Sequence, residues 1–268
     1  MLKDVTFGQY FPGDSVVHKM DPRMKLVLII VYIVMLFVAD GIIPLLLGVA
    51  VTVFAYAMSK LSFKLVWRSV KPILPIVVFT AILNIFFIEG DPLFQWKFIT
   101  ISERGVVTAV LMCVRIISLI AGSSLLTYTT TPIALTDGLE RLMKPLEKIK
   151  VPVHELSMMM TIALRFIPTL IDETGKIIAA QKARGADMDS GNAIQKAKAL
   201  VPILIPLFVS ADELALAMEC RCYRGGEGRT RLKQLSLSGR DWAAAALMTA
   251  ALAGVILLNK FGPAVMVL

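Results

Sequence analysis

Five apolar stretches, 24–39, 42–58, 72–88, 105–127 and 242–258, leave this chain few folds to adopt. Inside a bilayer every backbone N–H and C=O must find a partner within the protein, and a run of about 20 apolar residues does so as a helix. Hydrophobic residues make up 57% of the chain, above the roughly 45–50% of soluble domains. The sequence therefore predicts an all-α, polytopic membrane protein with about five transmembrane helices. Asp21 and Pro22 supply the chemistry that opens the first of them. The start, Met1-Leu2-Lys3-Asp4, is too polar for a secretory signal, so the first span is expected to act as the targeting signal.

The connections set the sidedness. Lys60, Lys64, Arg68 and Lys71 fill the link between the second and third spans with no acidic residue, which places it in the cytoplasm. The Asp40-Gly41 turn carries no Lys or Arg, and 89–104 is mixed in charge; both are expected outside. The expected location is the cell (plasma) membrane, with the N-terminus cytoplasmic and the C-terminus extracellular. The net charge of +8 follows from basic cytoplasmic segments and gives no reason to invoke nucleic acid. The chain divides into 1–127 with four spans, a charged region 128–240, and 241–268 with the last span.

Region 128–240 is charged without being loop-like. Thr131-Pro132 opens a helix that breaks at Lys144-Pro145. A second helix is expected over 154–184, with Pro168 inside and Gly185 as a left-handed stop. A third is expected over 193–221, with Pro202 and Pro206 inside, the Gly225-Gly226 pair ending the region. Each joins an apolar half to an amphipathic half, so both are expected to lie partly in the interface, kinked at their prolines.

Two arginines end these helices: Arg184 within Ala183-Arg184-Gly185, and Arg221 within Cys220-Arg221-Cys222. A guanidinium suits a helix C-terminus, where unpaired carbonyls carry partial negative charge. Its planar fork can also grip a carboxylate through two parallel bonds, which lysine cannot copy. One such end is explained by plain capping. Two, on consecutive helices and on one side of the membrane, favour docking points for a paired soluble partner.

The chain resembles the T component of energy-coupling factor (ECF) transporters, the EcfT/CbiQ type of membrane subunit. The resemblance rests on Gly8-Gln9-Tyr10-Phe11-Pro12-Gly13-Asp14-Ser15, on His18 to Lys25, on Ala163-Leu164-Arg165-Phe166-Ile167-Pro168, and on the two arginine motifs. The family's Ala-Arg-Gly is intact at the first motif. At the second, cysteines replace both small residues, so glycine's help in ending the helix is lost and Gly225 and Gly226 are candidates to replace it. Arg224-Gly225 is a rival register for that motif. The resemblance implies long cytoplasmic or interfacial coupling helices. It implies two cytoplasmic ABC-type ATPase subunits seated on Ala183, Arg184, Gly185, Cys220, Arg221 and Cys222. It also implies a membrane S component that captures a vitamin or metal ion. ATP and Mg would be bound by the ATPases, with no cofactor in this chain, which has no Gly-Lys-Ser/Thr loop of its own. The subunit would be non-catalytic, moving the S component as the ATPases close.

Other residues weigh less. Met158, Met159 and Met160 are flexible thioethers suited to a surface with several partners, and are candidates for S-component contact; ordinary apolar packing is the simpler account of them. Arg115 lies within a span, where a charge is costly, and is expected to pair with an acidic group or reach the interface. His18 and His154 lack metal-ligand spacing, and Cys220-x-Cys222 without a nearby histidine is a weak metal signal, so no metal site is expected. A stand-alone secondary transporter would show duplicated halves. An intramembrane hydrolase would show paired carboxylates or a nucleophile with its base. Neither pattern is visible.

Overall fold

The computed structural model describes residues 10–88, 92–96, 99–185, 193–225 and 235–261. Gly8, Gln9 and Gly226 of the motifs above lie outside them. The helices are α1 (Pro22–Val38), α2 (Ile42–Ser59), α3 (Phe63–Val70), α4 (Leu74–Phe87), α5 (Glu103–Thr129), α6 (Pro132–Met143), α7 (Val153–Ala183), α8 (Ala193–Cys220) and α9 (Gly239–Phe261). Two compact units result: one built on Leu139–Gln234, the other on Gln9–Gly138 with Leu235–Leu268.

The second unit is the membrane body. Among the described residues four segments are long and apolar enough to cross a bilayer: Ile42–Ser59, Lys64–Phe87, Glu103–Thr129 and Gly239–Lys260. The expected first span is α1, one residue shorter than α2 and about 26 Å long. Asp21 Oδ1 accepts the Arg23 amide at 2.9 Å, so α1 opens as its sequence predicts.

Two connections differ from expectation. The basic link after α2 is not a loop: Ser62 caps α3, which passes through a 3-10 turn at Lys71–Ile73 into α4. Lys64, Arg68 and Lys71 recur at helical spacing, so a row of charge marked one face of a helix. The connection before α5 folds back as an antiparallel pair, β1 (Pro92–Trp96) and β2 (Ile99–Ser102), with Gln95 opposite Thr100 and Trp96 opposite Ile99. Phe94, Trp96, Ile99 and Ile101 supply the aromatic and β-branched content that favours a ladder. Ser102 then caps α5 through the Gly105 amide at 2.9 Å.

The core gathers Tyr32, Met35, Leu36, Ala39, Leu45 and Val255 from α1, α2 and α9. Gly122 of α5 lets Tyr32 lie flat against the helix, since a Cβ there would sit 2.4 Å from the ring. The Tyr32 hydroxyl bonds Thr52 and donates to the Ser118 carbonyl at 3.0 Å, and Tyr56 donates to the Ala121 carbonyl at 2.8 Å. Buried hydroxyls thus bind α1 and α2 to α5 where water cannot compete. Of the two expected partners for Arg115, a carboxylate is not found among the described residues. Its guanidinium donates to the Ala39 carbonyl at the end of α1, a backbone group the helix itself leaves unpaired.

The opposite end of α1 is a polar knot. Lys25 donates to the Thr129 carbonyl at 2.9 Å and to Thr130 Oγ1 at 3.1 Å, closing the end of α5. Asp241, 1% exposed, accepts the Asp21 amide at 3.0 Å and the Ser238 amide at 2.8 Å, tying α9 to α1. His18 packs over Gly13, bonds Ser15 Oγ at 2.6 Å and approaches the Phe11 carbonyl at 3.0 Å. Burial holds its pKa below the ordinary 6.5, with the Phe11 carbonyl opposing and the Lys25 charge adding to the shift. Two more contacts converge on this end of α1. Gly138 of α6 lies so close that a Cβ would sit 3.1 Å from Pro22 Cβ and 3.2 Å from the Arg23 amide nitrogen. Arg23 Nη2 donates to the Leu235 carbonyl at 2.8 Å.

Candidate functional site: two arginine-tipped helix ends

The Leu139–Gln234 unit is built on two long helices. α7 runs for 31 residues, continuous through Pro168, about 46 Å end to end. α8 runs for 28 residues through Pro202 and Pro206 and packs against α7. The helix–break–helix order of the sequence is therefore present, with Lys144–Ile149 forming a 3-10 turn between α6 and α7.

Arg184 is the C-cap of α7. Its amide is shared between the carbonyls of Ala180 at 3.2 Å and Gln181 at 3.1 Å. Gly185 follows at φ +81° and donates to the Lys182 carbonyl at 3.0 Å. Arg221 stands at the corresponding place after α8. The Cys222 amide donates to the Glu219 carbonyl at 2.8 Å and the Tyr223 amide to the Met218 carbonyl at 3.1 Å. These are the two bonds of a Schellman motif, with Cys222 in the left-handed position at φ 56°. The helix thus ends on Cys222 itself, and the expectation that Gly225 and Gly226 replace the missing glycine is corrected. The left-handed backbone costs a cysteine roughly 1–2 kcal/mol, offset by closing two otherwise orphaned carbonyls. Gly225 is also left-handed, at φ +81°, but lies beyond the cap. Arg221, not Arg224, therefore holds the position equivalent to Arg184.

Arg184, Gly185, Arg221 and Cys222 are exposed, as are Ala183 and Cys220. Neither arginine makes an ion pair among the described residues. The two tips do not converge. A Cβ on Gly225 would sit 3.6 Å from Glu155 Oε1, so the chain leaving α8 reaches the start of α7. Arg184 lies 29 residues beyond Glu155 at the far end of α7, about 40 Å along that helix at 1.5 Å per residue. That separation was not legible in the motifs alone.

Sequence reasoning also missed a brace at the start of α7. Glu140 of α6 accepts a hydrogen bond from the Ser157 hydroxyl and lies 3.2 Å from His154 Nδ1. His154 and Ser157 are three apart on a helix and so share a face, the one signal available beforehand. Of the methionine run, Met159 is 57% exposed and its two neighbours are half-buried. All three lie near the start of α7, remote from Arg184. Among the described residues no group of three or more His, Cys, Asp or Glu is placed to hold a metal.

Comparison with known proteins places this arrangement. The family model described as CbiQ, cobalt transport protein, matches residues 13–232. The energy-coupling factor transporter transmembrane protein EcfT of Clostridium kluyveri is 56% identical over 250 residues, covering 91% of this chain and 93% of that one. The protein of the same name from Ruminiclostridium cellulolyticum is 52% identical over 266 residues, covering 97% and 98%. That of Bacillus subtilis is 45% identical over 246 residues, covering 90% and 93%. With matches this extensive, and with a helical membrane body joined to two arginine-capped helices, the chain belongs to the CbiQ/EcfT family of transporter transmembrane proteins.

Proposed function

We propose that this chain is the transmembrane coupling subunit of an energy-coupling factor importer, and that Arg184 and Arg221 each seat one cytoplasmic ABC-type ATPase. The observation that carries the proposal is the matched geometry of the two tips: the same cap position, each followed by a left-handed residue, each exposed, at opposite ends of one helix pair. Two sockets set far apart along α7 suit two ATPase subunits side by side better than one partner gripping both. Each guanidinium extends from a helix end fixed by backbone hydrogen bonds, so little freedom is lost when it meets a carboxylate.

In this reading ATP and Mg stay with the ATPases, and this chain performs no chemistry. Closure of the ATPases draws the two tips toward one another. The α7–α8 pair changes its angle in response, and the brace at Glu140, His154 and Ser157 passes the change into α6. A separate membrane S component, meeting the exposed side of Met158, Met159 and Met160, reorients and releases a vitamin or metal ion inside. The tips and the Lys60–Lys71 segment face the cytoplasm, with the N-terminus inside and the C-terminus outside.

Purification of the tagged chain from its native membrane tests this. The expected complex holds two ATPase subunits and one S component per chain. A chain that purifies without ATPases, or with ATPases that survive loss of both tips, overturns it. In intact cells an impermeant maleimide should leave Cys220 and Cys222 unlabelled until the membrane is opened. Labelling from outside would reverse the topology.

A further inference from the structure

The membrane body contains a half-open groove of about 380 Å³ between α1, α2, α5 and α9, within the range of small-molecule sites. Ile29, Val51, Ala55, Leu125, Ala244 and Met248 form apolar walls, and Phe54 and Leu247, 50% and 44% exposed, stand at its rim. Tyr32 and Thr52 close one end, their hydroxyls already bonded to each other. Lys25 and Arg240 mark the other end.

Charge at that end is unevenly spent. Asp21 and Arg23 form one ion pair, and the buried Asp241 and Lys25 balance each other in sign. Arg240 is exposed and makes no ion pair among the described residues. The groove therefore joins a hydrocarbon slot to an uncompensated guanidinium. A polar metabolite finds no partners along the walls. An amphiphile with a thin apolar tail and an anionic head matches both features.

We propose that this groove holds one anionic phospholipid, its acyl chain between α1, α2, α5 and α9 and its phosphate on the Arg240 guanidinium. The planar fork accepts two phosphate oxygens at once. The tail would occupy the space between α2 and α9, so the lipid becomes part of the wall joining them. This site lies in the membrane body and is independent of how the ATPases dock.

Native mass spectrometry of the intact transporter, taken from vesicles of equal phosphatidylglycerol and phosphatidylcholine, tests the proposal. One phosphatidylglycerol should be retained per chain, at least fivefold over phosphatidylcholine. Arg240→Gln should erase that preference, and Ala244→Trp, which fills the slot, should remove both lipids; the mass of the assembled complex reports that each variant still folds. Equal retention of the two lipids by the unaltered chain overturns the proposal, as does an undiminished preference in Arg240→Gln. Cross-linking of a Leu247→Cys chain to a partner membrane subunit through the groove would assign it to protein instead of lipid and would equally overturn it.

Discussion

Arg184→Ala, Arg221→Ala and the matching lysine variants separate docking from folding. Both side chains are exposed and unpaired among the described residues. In the isolated chain their removal costs at most the favourable term between a cation and a helix C-terminus, about 0.3–1 kcal/mol. At an interface the same guanidinium would be desolvated against a carboxylate, where truncating one partner costs about 2–5 kcal/mol. Each alanine variant should therefore weaken ATPase binding by about 30-fold to several thousand-fold. Arg184 lies about 40 Å along α7 from the Glu155 end that the chain leaving α8 reaches, too far for the tips to couple directly, so the double variant should lose close to the sum. Lysine keeps the charge but not the fork and should fall between alanine and arginine. Biolayer interferometry of immobilised chain against purified ATPase subunits reads these values, with thermal melting as the control for folding. Alanine variants that bind within twofold of the unaltered chain would refute the docking argument. So would a large drop in melting temperature that tracks the loss of binding.

Three further outcomes follow from the membrane body. Gly122→Ala forces a Cβ to 2.4 Å from a Tyr32 ring that is held at its hydroxyl, and should cost about 2–4 kcal/mol from overpacking and lost hydrogen bonds; Gly48→Ala, whose close contact is the terminal Leu36 Cδ2, with Met35 Cε at 3.7 Å, breaks no hydrogen-bonded ring and should cost less, both read as shifts in melting temperature. Asp241→Ala strands the buried amide of Asp21 and the part-buried amide of Ser238 and should destabilise by about 2–3 kcal/mol, whereas Arg240→Ala, one residue away and exposed, should leave melting almost unchanged. His18 has a folded pKa below 6.5, so below that pH the unfolded chain binds more protons than the folded one; the stability this group contributes is full above 6.5 and declines as pH falls through the lowered value. The protection factor of the Phe11 amide, which is bonded to the Tyr128 carbonyl, should fall as pH drops over that window, and His18→Gln should flatten the dependence.

The membrane body was legible because its helices announce themselves by composition: α2, α5 and α9 lie where apolar runs predict them. What composition hid was the state of the polar connections. Lys60 to Lys71 read as a loop because charge counts decide sidedness, yet the same charges recur at helical spacing and α3 is a helix. The strands before α5 are too short to show against a long apolar background. At the candidate site, the arginines and the first cap were readable from Ala183-Arg184-Gly185. The second cap was misread because a left-handed cysteine has no sequence signature; backbone bonds from Cys222 and Tyr223 make it. The partner of Arg115 was not legible, because a sequence shows carboxylates but not which backbone carbonyl a fold leaves bare.

The crowding around Pro22 and Arg23 has a mechanical consequence. The chain leaves the membrane body just after Gly138, which is pressed against these two residues, and returns at Leu235, whose carbonyl Arg23 holds. Outbound and returning strands thus share a single mooring. Loosening that one point would therefore free Gly138 and Leu235 together, beside the place where Asp241 and Lys25 lock three helices into one piece.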